Sequence, residues 1–130
     1  GFWAVELKSS GEFMGFVGLH IPKPNLPFSP CVEIGWRLLK KFWGNGYATE
    51  AAQASLVYAF NTLNLTEVVS FTTVSNLRSR SVMQRLGLSN TYQNFDIDID
   101  HPLSEHVLYK ITKQEWQEQG VWQATPTGTS

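Results

Sequence analysis

The residues best placed to do chemistry fall within residues 33–49. Val32, Ile34, Trp36 and Leu38 alternate with Glu33, Gly35 and Arg37, so a carboxylate and a guanidinium share one strand face with a glycine between them. A carboxylate in that position can take a proton from an amine held beside it. The same two residues can equally form a plain surface ion pair, worth roughly 0 to 1 kcal/mol. Glu33 is therefore read either as a general base or as the partner of Arg37. Further along lies Trp43-Gly44-Asn45-Gly46-Tyr47-Ala48-Thr49. Gly44 and Gly46 can reach backbone angles closed to other residues and let a ligand approach the main chain. A helix starting near Ala48 would add unpaired N–H groups and the positive end of its dipole. Strand, Gly-x-Gly turn and helix together make a cradle for pyrophosphate, although a tight turn has the same signature.

Two nucleotide-binding alternatives fail on spacing. A Walker loop needs Lys and then Ser or Thr after its last glycine, and here Tyr47, Ala48 and Thr49 follow Gly46. The dinucleotide fingerprint needs a small residue where Thr49 stands. Asp96, Asp98 and Asp100 imitate the start of a calcium loop, but His101 replaces its glycine and Val107 its closing Glu. His101 and His106 lack a third ligand at zinc spacing, so no metal is expected. Cys31 has no evident His partner and reads as a buried apolar residue.

Several blocks occur in order: EIGWRL, FWGNGYATEA, a helix, EVVSFTTVSNLRSRSVMQRLGL, then DHP, HVLYKIT and EW. Together they resemble the GNAT N-acetyltransferases over roughly residues 2–116, in particular the branch that resembles the ribosomal-protein N-terminal acetyltransferases. The resemblance implies an α/β (α+β) fold, with a mixed, mostly antiparallel sheet flanked by helices and without the family's first strand and helix pair. It implies acetyl-CoA as acyl-donor cosubstrate and a primary amine as acceptor, either a protein N-terminus or a small molecule. Transfer would be by direct attack in a ternary complex, without metal or covalent enzyme intermediate. A homodimer is among the implied assemblies.

Residue by residue, the resemblance assigns the main chain of Trp36, Arg37 and Leu38 to the pantetheine arm. Trp43, Gly44, Asn45, Gly46, Tyr47, Ala48 and Thr49 fall to the pyrophosphate. Asn76 would hydrogen-bond the pantetheine region, with Ser79 and Arg80 nearby. Lys41 stands where the family loop opens with Gln or Arg, keeping the charge without the fork. Many relatives protonate the leaving thiolate with a tyrosine from the second helix. Met83 lies near that place here, which leaves Ser79 as the implied substitute. Asn76 and Ser79 also suit the first turn of a helix as caps. Of Arg78, Arg80 and Arg85, Arg80 is the one expected to meet the nucleotide's 3'-phosphate. Glu50 should point away from it. The rival reading is a module that holds CoA or an acyl-CoA without turnover.

These groups require a particular frame. Residues 2–7 and 13–21 are rich in aromatic and β-branched side chains around a Ser-Ser-Gly-Glu turn, which predicts a hairpin. Pro22, Pro24, Pro27 and Pro30 exclude helix or central strand from a loop over 22–30, and a strand over 32–38 follows. Ala48, Ala52, Leu56, Ala59, Phe60 and Leu63 recur at helical spacing. A buried strand over 67–73 precedes a short helix over 78–86, opened by Asn76 and closed by Gly87. Strands over 91–99 and 106–112 and a helix over 113–119 complete the order.

The 130 residues, 42% of them hydrophobic, suit one domain, with the acetyltransferase unit over 1–118 and a polar tail over 119–130. A net charge of -1 provides no global field toward nucleic acid or an anionic membrane, so any anion site must be local. One cysteine allows no internal disulfide and fits the cytoplasm, and no apolar run approaches the roughly 20 residues that span a bilayer. The opening GFWAVEL, strand-like and without Met, leads to the expectation of a missing upstream segment.

Overall fold

The computed structural model describes residues 2–22, 26–98, 100–101 and 104–120. The chain runs β1 (Phe2–Glu6), β2 (Phe13–His20), β3 (Glu33–Leu38), α1 (Tyr47–Val57), β4 (Glu67–Thr73), α2 (Leu77–Arg85), β5 (Ser89–Asn90), β6 (Phe95–Asp96), β7 (Glu105–Thr112) and α3 (Lys113–Gln119). The predicted hairpin forms between β1 and β2, turning at Gly11, whose positive φ lets its N–H reach the Leu7 carbonyl at 2.7 Å. β2 continues antiparallel to β3, from Gly15 opposite Leu38 to His20 opposite Glu33. The sheet order is β1-β2-β3-β4-β7-β5, with β6 also on β7. Among the described residues its one parallel pair is β3 with β4, because α1 crosses over between them.

Strand alternation divides the core. Val68, Val107, Tyr109 and Ile111 share a cluster with Ala52, Leu56 and Phe60 of the α1 segment and with Trp116 of α3. Val69 and Leu108 instead join Phe95, packed by Phe28 and Phe71. Trp116 lies 5.1 Å from the Phe60 ring, and α3 is anchored there by a reciprocal cap. Thr112 Oγ1 accepts from Glu115 N–H at 3.1 Å while Glu115 Oε1 accepts from Thr112 N–H at 2.8 Å.

Two expectations need correcting. Leu63 is 45% exposed, because α1 widens into a π-turn over Tyr58–Thr62. Each residue there advances less around the axis, so the apolar stripe leaves the core before Leu63. The strand expected over 91–99 reduces to β6 flanked by turns. Asn90 Oδ1 accepts from Tyr92 N–H, Thr91 Oγ1 from Gln93 N–H and Asp98 Oδ1 from Asp100 N–H. These short side chains capture the amides that a ladder would have used. Tyr92 has a positive φ and Ile97 is exposed; Ile99 lies outside the described residues, as do Pro24 and residues 121–130.

What positions the site is a divergence. β3 and β4 are in register only where Glu33 meets Val69. Val69 N–H donates to the Val32 carbonyl at 3.0 Å and Ser70 Oγ donates to the Ile34 carbonyl at 2.9 Å. Beyond that point β3 stays with β2, and β4 with β7, along their whole lengths. The two halves of the sheet therefore part like a V with Glu33 near its apex.

Candidate active site

Backbone parity determines what faces the opening. Successive residues of a strand direct their N–H and C=O groups to opposite edges. The Val32 and Ile34 carbonyls point toward β4, so Trp36 and Leu38 point the same way, past the place where β4 has left. The Leu38 carbonyl accepts from Trp43 Nε1 at 3.0 Å. The Trp36 main chain keeps no ladder partner on that edge among the described residues. An extended, amide-bearing ligand can pair there as an added strand.

The opening is a cavity of about 730 Å³. It gathers Glu33, Trp36, Arg37, Leu38, Trp43, Asn76 and Ser79, all expected site residues. Beside it is a smaller hollow of about 200 Å³, lined by Gly44, Gly46, Tyr47, Ala48 and Thr49 among others. Leu38, Trp43 and Arg78 border both. Gly44 and Gly46 have φ of 81° and 78°, left-handed angles that let the chain turn sharply into α1. A Cβ on Gly44 would meet nothing within 4 Å, so the backbone angle and not space requires glycine there. α1 has no side-chain cap, whereas Asn76 Oδ1 caps α2 by accepting from Ser79 N–H at 3.2 Å and Thr112 caps α3. Of the three α-helices in the described residues, the one that ends at the hollow thus keeps its first-turn amides open to an anion. Glu50 is exposed and absent from that lining.

α2 serves both cavities through its periodicity. Arg78, Ser81, Val82 and Arg85, at i, i+3, i+4 and i+7, face the hollow, while Ser79 and Met83, at i and i+4, face the larger cavity. Arg78 lies over the Trp43 ring, 3.4 Å from its centroid, between the two spaces. Arg80 is turned elsewhere, which corrects the expectation for it. Two residues along a helix is more than half a turn, and Arg80 spends its guanidinium on the Val74 carbonyl at 2.8 Å and the Tyr109 hydroxyl at 3.4 Å. Asn45 lines neither space; its amide donates to the Phe42 and Trp43 carbonyls and braces the turn. Lys41 pairs with Glu12 on the hairpin.

Glu33 is 8% exposed, and burial pushes its carboxyl up to about 8. Its partner is His20, whose Nε2 lies 3.0 Å from Glu33 Oε1, and no Glu33–Arg37 ion pair occurs among the described residues. Burial also lowers His20. Near neutral pH the pair therefore holds one proton between two groups that carry no net charge. Ser79 Oγ accepts from Trp36 Nε1 at 3.3 Å, which leaves its O–H to be donated into the cavity. The arrangement offers a raised carboxyl at the apex, a hydroxyl donor opposite on α2, an open strand edge between them and an anion cradle at the far end. His20 was missed in the sequence because its relation to Glu33 exists only across the β2–β3 ladder. Arg78 is identified by its face: its seven-residue spacing from Arg85 puts both on the hollow.

The acetyltransferase (GNAT) domain profile matches residues 1–89. The chain is 39% identical over 115 residues to the FsC-acetyl coenzyme A-N(2)-transacetylase of Aspergillus fumigatus, a match covering 83% of this chain and 49% of that protein. A GNAT-family acetyltransferase structure from Bacillus anthracis superposes with a TM-score of 0.73 at 27% identity, over 87% of this chain and 66% of that one. The ribosomal-protein-S5-alanine acetyltransferase of Vibrio fischeri, with a TM-score of 0.71 at 20% identity over 88% of this chain and 62% of that one, shares the fold. The chain spans about half the length of the curated relatives it matches. The profile match over residues 1–89, which take in β3, α1 and α2, and the relative at 39% identity lead to one assignment: the chain belongs to the GNAT acetyltransferase family.

Proposed function

We propose that the protein is an N-acetyltransferase that moves an acetyl group from acetyl-CoA to a primary amine by direct attack in a ternary complex. The observation that carries the reading is the divergence of β3 from β4, with the buried Glu33 at its apex and the uncapped α1 N-terminus at its outer end. The Trp36 main chain would pair with the pantetheine amides. The first-turn N–H groups of Tyr47, Ala48 and Thr49 would hold the pyrophosphate, with Arg78 and Arg85 supplying the positive charge that Arg80 does not. Bound acetyl-CoA supplies a thioester carbonyl open to attack by a neutral amine. Glu33, once ionised, takes the proton that keeps the amine from attacking. Ser79, which lines the α2 side of the opening, would donate its hydroxyl hydrogen bond to a departing thiolate.

The reading extends to the acceptor. Among the described residues, the larger cavity's lining contains one carboxylate, Glu33, alongside Arg37 and Arg78 and the aromatic rings of Phe16 and Phe71. That charge balance favours an acceptor with one amine on a neutral or anionic body over a polycation. The N(2)-transacetylase named above also acts at nitrogen. A dimer and a cytoplasmic setting remain part of the proposal.

The test is mass spectrometry after incubation with acetyl-CoA and a panel of amines: peptides with free N-termini, amino acids and polyamines. Acetylated monoamine products would support the reading. CoA binding without any acetylated product would mark a holding module instead, and no CoA binding at all would overturn the site.

A further inference from the structure

The face of the sheet from which a β3 side chain leaves decides what it can meet. Glu33, Gly35 and Arg37 leave by one face and lie directly opposite His20, Gly18 and Phe16 of β2. The middle pair, Gly18 and Gly35, carries no side chain, so a bare step of main chain separates the Glu33 end from the Arg37 end. Arg37 borders the larger cavity and not the phosphate hollow, whereas Arg78 borders both and Arg85 the hollow alone. Its charge is therefore offered to whatever shares the cavity with Glu33, away from the nucleotide end.

Three other cations around the two cavities are already engaged. Lys41 pairs with Glu12, Arg78 lies over the Trp43 ring, and Arg80 donates to the Val74 carbonyl and the Tyr109 hydroxyl. Arg37 is exposed, and its guanidinium makes no ion pair or hydrogen bond among the described residues. Its planar fork matches a carboxylate in two parallel bonds. We propose that Arg37 selects the acceptor, pairing with a carboxylate on the same molecule whose amine sits at Glu33. This rests on the acetyl-transfer reading, in which Glu33 meets the amine.

The strand also sets a length. Four residues of rise put the Glu33 and Arg37 Cα atoms about 13 Å apart. Even with the Arg37 side chain leaning toward Glu33, several ångströms remain between the two charged ends. A free amino acid holds its amine and carboxylate on the same carbon and cannot touch both. A peptide of about two or three residues, extending up to about 3.5 Å per residue, can. The Gly18 and Gly35 step leaves the space above it to that backbone. The acceptor class is thus a peptide amine with a carboxylate one to three residues away, supplied by a free C-terminus or by an acidic side chain.

The experiment measures kcat/KM in wild type, Arg37→Gln and Arg37→Glu for matched acceptors. Trialanine is set against its C-terminal amide, and Ala-Asp-Ala amide against Ala-Asn-Ala amide, to separate the two sources of carboxylate. Wild type should prefer the acid in at least one pair, roughly 10-fold. In R37Q that ratio should fall to within about twofold of one, and in R37E it should reverse. Because each ratio is taken within one protein, a general loss of activity cancels. Wild-type ratios near one in both pairs, or a preference that R37Q keeps, would overturn the assignment. Alanine should gain nothing over alaninamide, and a gain equal to that of trialanine would overturn the spacing. A second measurement needs no turnover: the Arg37 Nε–Hε resonance, assigned by its loss in R37Q, should move when the preferred acid, and not its amide, is added to the CoA complex. If wild type acetylates no amine, the acetyl-transfer reading fails by itself. The resonance still decides on Arg37: a shift with an acid alone upholds the carboxylate site, and no shift with either acid overturns it.

Discussion

Glu33→Gln isolates the property on which the site depends. The amide has nearly the shape of the carboxyl but cannot ionise. In the wild type the Glu33 carboxyl moves from 4.5 in the unfolded chain to about 8 in the folded one. The folded state therefore binds the proton more tightly, and stability is full below pH 4.5 and lost as pH rises through 8. One unit corresponds to about 1.4 kcal/mol, so the full loss is on the order of 5 kcal/mol, a large part of a domain's usual 5 to 15. Between pH 7 and pH 9 the remaining loss is about 1.4 kcal/mol. That window lies above the ordinary value of His20, and burial lowers its folded value further, so His20 contributes little to the change there. Urea unfolding of wild type and E33Q across this range should give a difference that grows by about 1.4 kcal/mol in favour of the variant, because the other groups cancel. In parallel, wild-type kcat should rise with an apparent midpoint near 8, while E33Q loses roughly 10²- to 10⁴-fold in kcat and keeps its CoA affinity. A difference curve that stays flat with pH, or an E33Q enzyme that turns over normally, would refute the argument from burial to basicity.

Other outcomes follow from the cradle and the caps. Gly46→Ala forces a φ of 78° on a residue with a Cβ, so it should cost about 1 to 2 kcal/mol of stability by thermal or urea unfolding and weaken CoA roughly 10-fold by calorimetry. Arg78→Ala should raise the Kd for CoA roughly 10-fold, about 1.4 kcal/mol, with little change in Tm. Arg80→Ala should do the reverse: Kd within about twofold, but about 1 to 3 kcal/mol lost with the bonds to Val74 and Tyr109. Thr112→Ala removes the reciprocal cap of α3 and should lower stability by about 1 kcal/mol, roughly 4 °C in Tm.

Much of the cofactor half was legible in the sequence because it rests on local physics. Two glycines at positive φ, an uncapped helix start after them, an Asn cap on α2 and a period-two strand at β3 each leave a signature within a few residues. The same locality explains where reading failed. The stretch after β5 alternates like a strand, yet Asn90, Thr91 and Asp98 held its amides in turns. Leu63 continued a helical stripe that a π-turn had already rotated away.

What the sequence by itself determined, then, was the order of elements and the anion cradle, since backbone angle, capping and periodicity act between near neighbours. Tertiary structure decided the rest. The parting of β3 from β4 depends on each strand preferring its other neighbour, β2 or β7. The partner of Glu33 is His20 and not Arg37, because the ladder places His20 directly opposite. And the basicity of Glu33 is set by burial at the apex of that opening, a property of the assembled sheet that no spacing along the chain encodes.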